Sequence, residues 1–418
     1  MALCAASSVS AFDTKFSGAL STDVTTPLPY AKLNGEALQA EARANGELSL
    51  YITDKLTIFA EGLAIFDLLG YQGNSYDAGT DDHHCGVILK EAWIDYTSDY
   101  FAIRLGRQIE AWGKSDLFPV TNILCPKNYA SFNFFELTDS YVGIDAARFS
   151  LKYDAYSLDF YWIPFVRTSV IPNTENHPIQ NVVYNSSKIL KLRVGPMESP
   201  SISPKNFEYA VKASGYFKYA DVSLYGFYGW NREPTDFNII NKYICGSYTR
   251  MLMFGADASI PVGDCIVRLE SAFYPQHAVV PISMYLLFAD TTYTRRQKLK
   301  MLAGVDWMPG GWILTAQYYG DLTFGSASEL TPKEYMHFVS FAASHNFFRD
   351  SLALSIAGLV QLQEWNNMFV LSAIYSASDN VTLSASAFFL NIISETDIDE
   401  LDEFRFWGGV TIGAKYSF

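Results

Sequence analysis

A group of ionic and polar side chains of both signs lies between Arg104 and Lys127 in this 418-residue chain. Arg104, Arg107, Gln108, Glu110, Trp112, Lys114, Asp116 and Lys127 all fall in one strand-like run and the loop after it. Both signs of charge alternate there over a few residues. No GxSxG, HExxH or phosphate-binding loop occurs in the chain, and His337 and His345 have no recognisable serine or aspartate partner, so it is not read as an enzyme. Without a nucleophile or a general base, the chemistry open to such a group is electrostatic. Opposed charges held against low-dielectric walls focus a field and sort solutes by charge. No cofactor is implied.

Two other clusters are weaker. Asp81-Asp82-His83-His84-Cys85 offers metal-ligand types, but it sits in a Gly- and Asp-rich stretch without the spaced second pair of a closed site; a solvated loop is the simpler reading, and no metal is assigned. Asp397, Asp399, Glu400, Asp402 and Glu403 read as a solvated acidic rim, with calcium or lipopolysaccharide-bound cations as the alternative. Five cysteines, Cys4, Cys85, Cys125, Cys245 and Cys265, show no CxxC pair and no regular interval.

The chain is 49% hydrophobic, yet no run of about 18 uncharged apolar residues offers a membrane helix. The net charge of -14 argues against a nucleic-acid partner, which needs a basic surface. What must position the charged group is therefore strands. Residues 38–52 alternate strictly, with Leu38, Ala40, Ala42, Leu48, Leu50 and Ile52 on one face and Glu41, Arg43, Glu47 and Ser49 on the other. That is longer than the usual soluble strand of about five or six residues. Residues 351–363 and 381–390 repeat the pattern, and each stretch is long enough to cross a bilayer at a tilt.

The connections alternate in length. Tight turns at 53–55, 98–100, 154–155, 220–221, 261–264, 309–311, 349–350 and 378–380 are interleaved with mostly longer loops at 23–34, 70–85, 111–140, 168–205, 233–247, 276–296, 323–334, 364–366 and 393–404. Eight turns and nine loops join eighteen strands. An even count with both ends on the short-turn side lets the last strand close against the first, so the expected fold is all-β, an antiparallel transmembrane barrel with short periplasmic turns and longer extracellular loops. A soluble sandwich or propeller is the alternative. Strand length stands against it, and so do aromatic residues placed near strand ends, namely Phe12, Trp93, Tyr96, Trp162, Trp230, Trp307, Trp312 and Tyr416.

The chain ends Tyr416-Ser417-Phe418. In this it resembles bacterial outer-membrane β-barrels, whose last strand commonly ends aromatic, any residue, Phe. The resemblance implies that Tyr416 and Phe418 are an assembly signal read by the barrel-insertion machinery, and that the chain contacts outer-membrane lipid. Val9-Ser10-Ala11 resembles a signal-peptidase site, leaving residues 12–418 as a single barrel domain.

Eighteen strands enclose an aqueous lumen. Its wall is expected to carry Glu41, Arg43, Glu47, Glu61, Glu91, Asp95, Arg268, Glu270, Lys298 and Lys300, nearly balanced in sign and partly paired across strands. The patterns RxGRQxxxWGxxD at 104–116 and NxxxP at 122–126 resemble the start of the third loop of porin-like outer-membrane proteins. That resemblance implies a loop that folds inward after the fifth strand and narrows the pore. Glu110, Lys114, Asp116 and Lys127 then meet Arg104 and Gln108, with Trp112 filling a gap against the wall and Gly113 permitting a tight turn.

Arg107 falls on the lipid phase unless a bulge at Gly106 re-aims it. The bulge is the favoured expectation, and a position above the hydrocarbon that pins the loop is the alternative. The expected function is a porin for small hydrophilic solutes or ions. The rivals are a transporter for hydrophobic molecules, its mouth lined by Phe118, Phe132, Phe134 and Phe135, and a surface adhesin or antigen using loop 168–205. Porins of this size are often homotrimers.

Overall fold

A computed structural model describes residues 13–28, 38–114, 120–130, 140–174, 177, 178, 180, 184, 191–279, 293–325, 334–391 and 406–418. The expected signal at residues 1–11, Asp116, the phenylalanines 118, 132, 134 and 135, and the acidic run 397–403 lie outside the described residues.

Eighteen strands pair antiparallel in sequence order. They are β1 (Asp13–Pro27), β2 (Gln39–Thr53), β3 (Leu56–Asp67), β4 (Cys85–Thr97), β5 (Phe101–Gln108), β6 (Ile144–Tyr153), β7 (Tyr156–Phe165), β8 (Glu208–Tyr216) and β9 (Asp221–Trp230). There follow β10 (Arg250–Val262), β11 (Cys265–Val279), β12 (Thr294–Trp307), β13 (Trp312–Thr323), β14 (Tyr335–Phe347), β15 (Leu352–Gln361), β16 (Asn367–Ser376), β17 (Val381–Asn391) and β18 (Phe406–Ser417). Strand β18 pairs with β1, Ile412 opposite Val24, which leaves the sheet no free edge. At the seam Gly18 N donates to Phe418 O at 2.9 Å and Phe418 N to Gly18 O at 3.0 Å.

The distribution of burial is inverted relative to a soluble protein. Phe16 is 62% exposed and Ile412 66%, whereas Glu208 is fully buried and Asp257 is 3% exposed. Alternation along each strand explains this: the apolar phase faces outward, where lipid covers it, and the polar phase faces the interior. Tyr51, Tyr153, Tyr156, Tyr216, Trp307, Trp312 and Tyr416 stand exposed near the short-turn end, as an interfacial girdle does.

Trp93 is not part of the girdle. It shares the inward phase of Glu91 and Asp95, and the Arg104 guanidinium lies 4.0 Å from its ring centre. Loop 231–249 also differs from the expectation of a plain loop. It carries a hairpin, Asp236–Ile240 and Tyr243–Ser247, joined in parallel by Arg193–Glu198 to make a separate three-stranded sheet.

Candidate functional site

Strand β5 ends at Gln108, and the chain returns to the barrel wall only at Ile144. In between, Trp112, Val120, Leu124 and Cys125 are buried against inward-facing side chains of β6 to β11, among them Ile144, Tyr161, Tyr225, Met253 and Tyr274. The loop therefore lies inside the barrel along one flank. The Trp112 ring sits 4.8 Å from that of Tyr225 and 5.8 Å from that of Tyr161, measured between centres. It fills the gap between two wall strands.

Glu270 on β11 fixes the far end of this loop. Its Oε2 accepts from Lys114 N at 2.8 Å, and its Oε1 accepts from Thr121 N at 2.7 Å and Thr121 Oγ1 at 2.8 Å. Arg268 donates to Lys114 O at 3.1 Å, Gly113 N to Tyr225 OH at 3.3 Å, and Tyr274 OH to Val120 O at 3.3 Å. Gly113 has φ +83°, and a Cβ there would overlap the Glu270 carboxylate and the Thr121 hydroxyl. Only glycine satisfies both conditions.

The near end is held by carboxylates of the opposite direction in sequence. Glu91 Oε1 accepts from Ile109 N at 2.6 Å, while Glu110 lies between Arg148 Nη1 at 2.7 Å and Tyr161 OH at 3.1 Å. A third latch comes from above. Arg232, 4% exposed in its side chain, donates from Nη1 to both oxygens of the fully buried Glu208 at 3.0 Å and from Nε to Ile123 O at 3.2 Å. Glu208 Oε1 also accepts from Trp230 N at 2.8 Å, and these bonds offset part of the desolvation penalty of so deeply buried an ion pair.

The remaining wall charges are mostly paired. Arg104 Nε meets Asp95 at 2.9 Å, Arg43 Nε meets Glu41 at 2.8 Å, Lys90 meets Glu61 at 3.3 Å, Lys298 meets Asp321 at 3.0 Å, and Arg268 meets Asp306. Glu47 stands opposite Glu61 in the ladder, and Lys300 Nζ lies 5.8 Å from the Tyr274 ring centre. Lys127 Nζ lies 5.7 Å from the Tyr141 ring centre, and burial holds its ammonium below the ordinary lysine value.

Two positions behave differently from expectation. The ladder from β4 through β5 to β6 runs unbroken past Gly106, so no bulge re-aims Arg107. Arg107 keeps the outward phase near the loop-side end of β5, where Nε meets Asp145 at 3.0 Å and Nη1 meets Asp77 of loop 68–84 at 3.2 Å. It pins the outer loop instead of lining a constriction, because two carboxylates and the Leu89 carbonyl satisfy it there. Gln108 faces inward but is fully buried, its Nε2 donating to Ala146 O at 3.1 Å. It therefore braces β5 against β6 and does not face open lumen.

The Asp81–Cys85 cluster is turned to local structure. His84 Nδ1 lies 2.7 Å from Asp67 O, and Asp82 accepts from Thr80. Among the described residues no three His, Cys, Asp or Glu side chains converge as metal ligands, and Cys85, Cys125, Cys245 and Cys265 are free thiols. His345 stacks 4.7 Å from Trp312, and His337 contacts Tyr318.

Sequence reasoning missed Thr121 and Arg232, which carry no local signature. It also missed Tyr161, Tyr225 and Tyr274, whose signal was present: each falls on the same alternation phase as the wall charges.

No protein-family model and no curated protein matches the chain. Solved structures do resemble it. OccAB2 of Acinetobacter baumannii aligns with TM-score 0.57 at 10% identity over 97% of this chain and 98% of its own. OccK8 (OprE) of Pseudomonas aeruginosa gives 0.56 at 8% identity over 97% and 98%. OmpT in its trimer form, an outer membrane protein of Vibrio cholerae, gives 0.50 at 9% identity over 98% and 100%. The fold is that of an outer-membrane barrel. At such identity the likeness is one of fold.

Proposed function

We propose that the chain, a single barrel over residues 12–418, is an outer-membrane diffusion channel for small hydrophilic solutes or ions, narrowed by the loop after β5. The observation that carries this reading is the Glu270 tether, which holds Gly113, Lys114 and Thr121 against the inner wall. Eighteen strands about 4.8 Å apart, tilted by about 40°, make a barrel about 35 Å across between backbones. A loop packed along one flank narrows that space. Arg104, Glu110, Arg148, Arg268 and Glu270 are the charges placed at its level, and their pairing favours weak ion preference over a strong one.

The partners in this reading are outer-membrane lipid and the insertion machinery that reads Tyr416 and Phe418. A homotrimer is part of it too, in keeping with the trimer form of the Vibrio cholerae barrel. Reconstitution into planar bilayers tests the function. Steady ionic current in discrete steps is expected; a purified, heat-modifiable barrel that carries no current would overturn it.

A further inference from the structure

The lumen is divided by chemistry. Strands β2 to β12 turn ion pairs inward, but across β14 to β18 the inward phase set by the register carries a single charged side chain, Lys415. In place of charge that wall carries a row of hydroxyls. Ser344 is paired with Ser355, Ser355 with Ser372, Ser372 with Ser386, Ser386 with Thr411, and Thr411 with Thr25 of β1.

Six hydroxyls on neighbouring strands span about 24 Å at about 4.8 Å per strand. The row starts near the short-turn end of β14, close to Phe347, and finishes near the loop end of β1, close to Pro27. It climbs because a line across tilted strands rises along the barrel axis. Ser355 is exposed, Ser344, Ser372 and Ser386 are half-buried, and none of the four serines makes a side-chain hydrogen bond to another described residue.

The head of the row holds an unmet donor. Thr25 Oγ1 lies 2.8 Å from Thr411 Oγ1 and donates to Gln39 Oε1 at 3.2 Å. Gln39 is 3% exposed, and its Nε2 has no partner among the described residues. A buried amide without a partner is costly, and such groups persist where something else supplies the acceptor. Directly on the loop side of the hydroxyl row runs an apolar one, Ala342 paired with Ala357, Ala357 with Val370 and Val370 with Phe388, and beyond it Leu359 pairs with Met368 and Met368 with Leu390.

We propose that β14 to β18, with Thr25 and Gln39 at the upper end, form a track for uncharged polyhydroxylated solutes such as sugars and polyols. Such molecules present hydroxyl edges and C–H faces together. Serine and threonine hydroxyls both donate and accept, so a solute moving along the row exchanges one hydrogen bond for the next. The apolar row covers the C–H face and displaces its water. A charged solute finds no ion-pair partner on this wall other than Lys415. The inference rests on the channel reading and names its solute class.

The test is osmotic swelling of proteoliposomes in glucose and in triglycine, which has nearly the same mass but no hydroxyls, beside single-channel conductance of the same preparations. Wild-type protein should admit glucose at least about threefold faster than triglycine, the worth of about one net hydrogen bond. Ser355→Ala, Ser372→Ala and Ser386→Ala combined should bring the ratio to about one while leaving ionic conductance and the triglycine rate unchanged. Gln39→Leu should lower the glucose rate alone. A wild-type ratio of one or less, or a triple variant that keeps the wild-type ratio, overturns the track while the channel stands. Absence of ionic current in the wild type overturns the channel reading and the track with it.

Discussion

Thr121 donates twice to the same carboxylate oxygen of Glu270, from its backbone N at 2.7 Å and its hydroxyl at 2.8 Å, across 149 positions of sequence. With Lys114 N on the other oxygen, the carboxylate accepts three hydrogen bonds from the loop. Glu270 is 3% exposed, so water does not compete for these donors. Glu270 thus makes more hydrogen bonds to the loop than Tyr225, Arg268 or Tyr274, each of which makes one among the described residues.

Glu270→Ala should release the loop. Hydrogen bonds to a charged group contribute about 1.5–3 kcal/mol each, so losing even one or two raises the undocked fraction by about 100-fold. Mean single-channel conductance and open-state noise should both rise. Thr121→Val, which removes only the hydroxyl, should do so less. Gly113→Ala should reproduce the Glu270→Ala phenotype through backbone strain and overlap, and the double variant should add little, since both break one tether. Additive effects would mean that Gly113 acts elsewhere.

Arg104 and Arg107 are close in sequence and opposite in placement. Arg104→Gln should shift reversal potential in a salt gradient toward cation preference, because Asp95 and the nearby Glu110 lose a compensating charge inside the lumen. Arg107→Gln should leave reversal potential unchanged. It should instead loosen loop 68–84, read as faster amide exchange around Asp77. A shift with Arg107→Gln equal to that of Arg104→Gln would place both in the passage.

Cys125 reports on loop docking. Burial pushes its thiol up to about 12, and its Sγ accepts from Glu110 N at 3.2 Å. Only the thiolate reacts with maleimide, so at pH 8 labelling should be slower than for an ordinary thiol by about three orders of magnitude. In a chain with the other cysteines replaced by serine, labelling should appear on thermal unfolding and also in folded Glu270→Ala. Rapid labelling of folded wild-type protein would show that the loop does not pack.

Strand number, strand phase and the seam could be read from the sequence because each depends on local pattern: alternation of two, turn residues, and alternating connection length. Trp112 and Gly113 could also be placed, since a large ring and a glycine beside charges have few structural uses. Thr121 and Arg232 could not. Their roles depend on which strands a loop reaches across the lumen, and that distance is set by closure of the whole barrel. Arg107 was misjudged for a related reason. Its carboxylate partners come from loop 68–84 and from β6, so the expense of an outward arginine looked unpaid when the strand was read alone.

His177 gives the outer surface an acid dependence. It is fully buried, its Nε2 lies 3.2 Å from Ala130 O, and its ring meets Tyr71 edge-on at 5.3 Å between centres. Burial pushes its imidazole down to about 4. The folded state therefore binds a proton less readily than the undocked loop, whose histidine titrates near 6.5. Docking is fully stable above about pH 6.5, weakens as pH falls by about 1.4 kcal/mol per unit, and levels off below about pH 4. Amide exchange at residues 71–72 and 128–130 should accelerate over that window in wild-type protein. His177→Gln, which keeps a donor for the Ala130 carbonyl without a titrating ring, should flatten the acid response even if it lowers docking stability at every pH. An acid response that persists unchanged in His177→Gln would assign it to another group, and the neutral buried imidazole would then carry no part of the loop's stability.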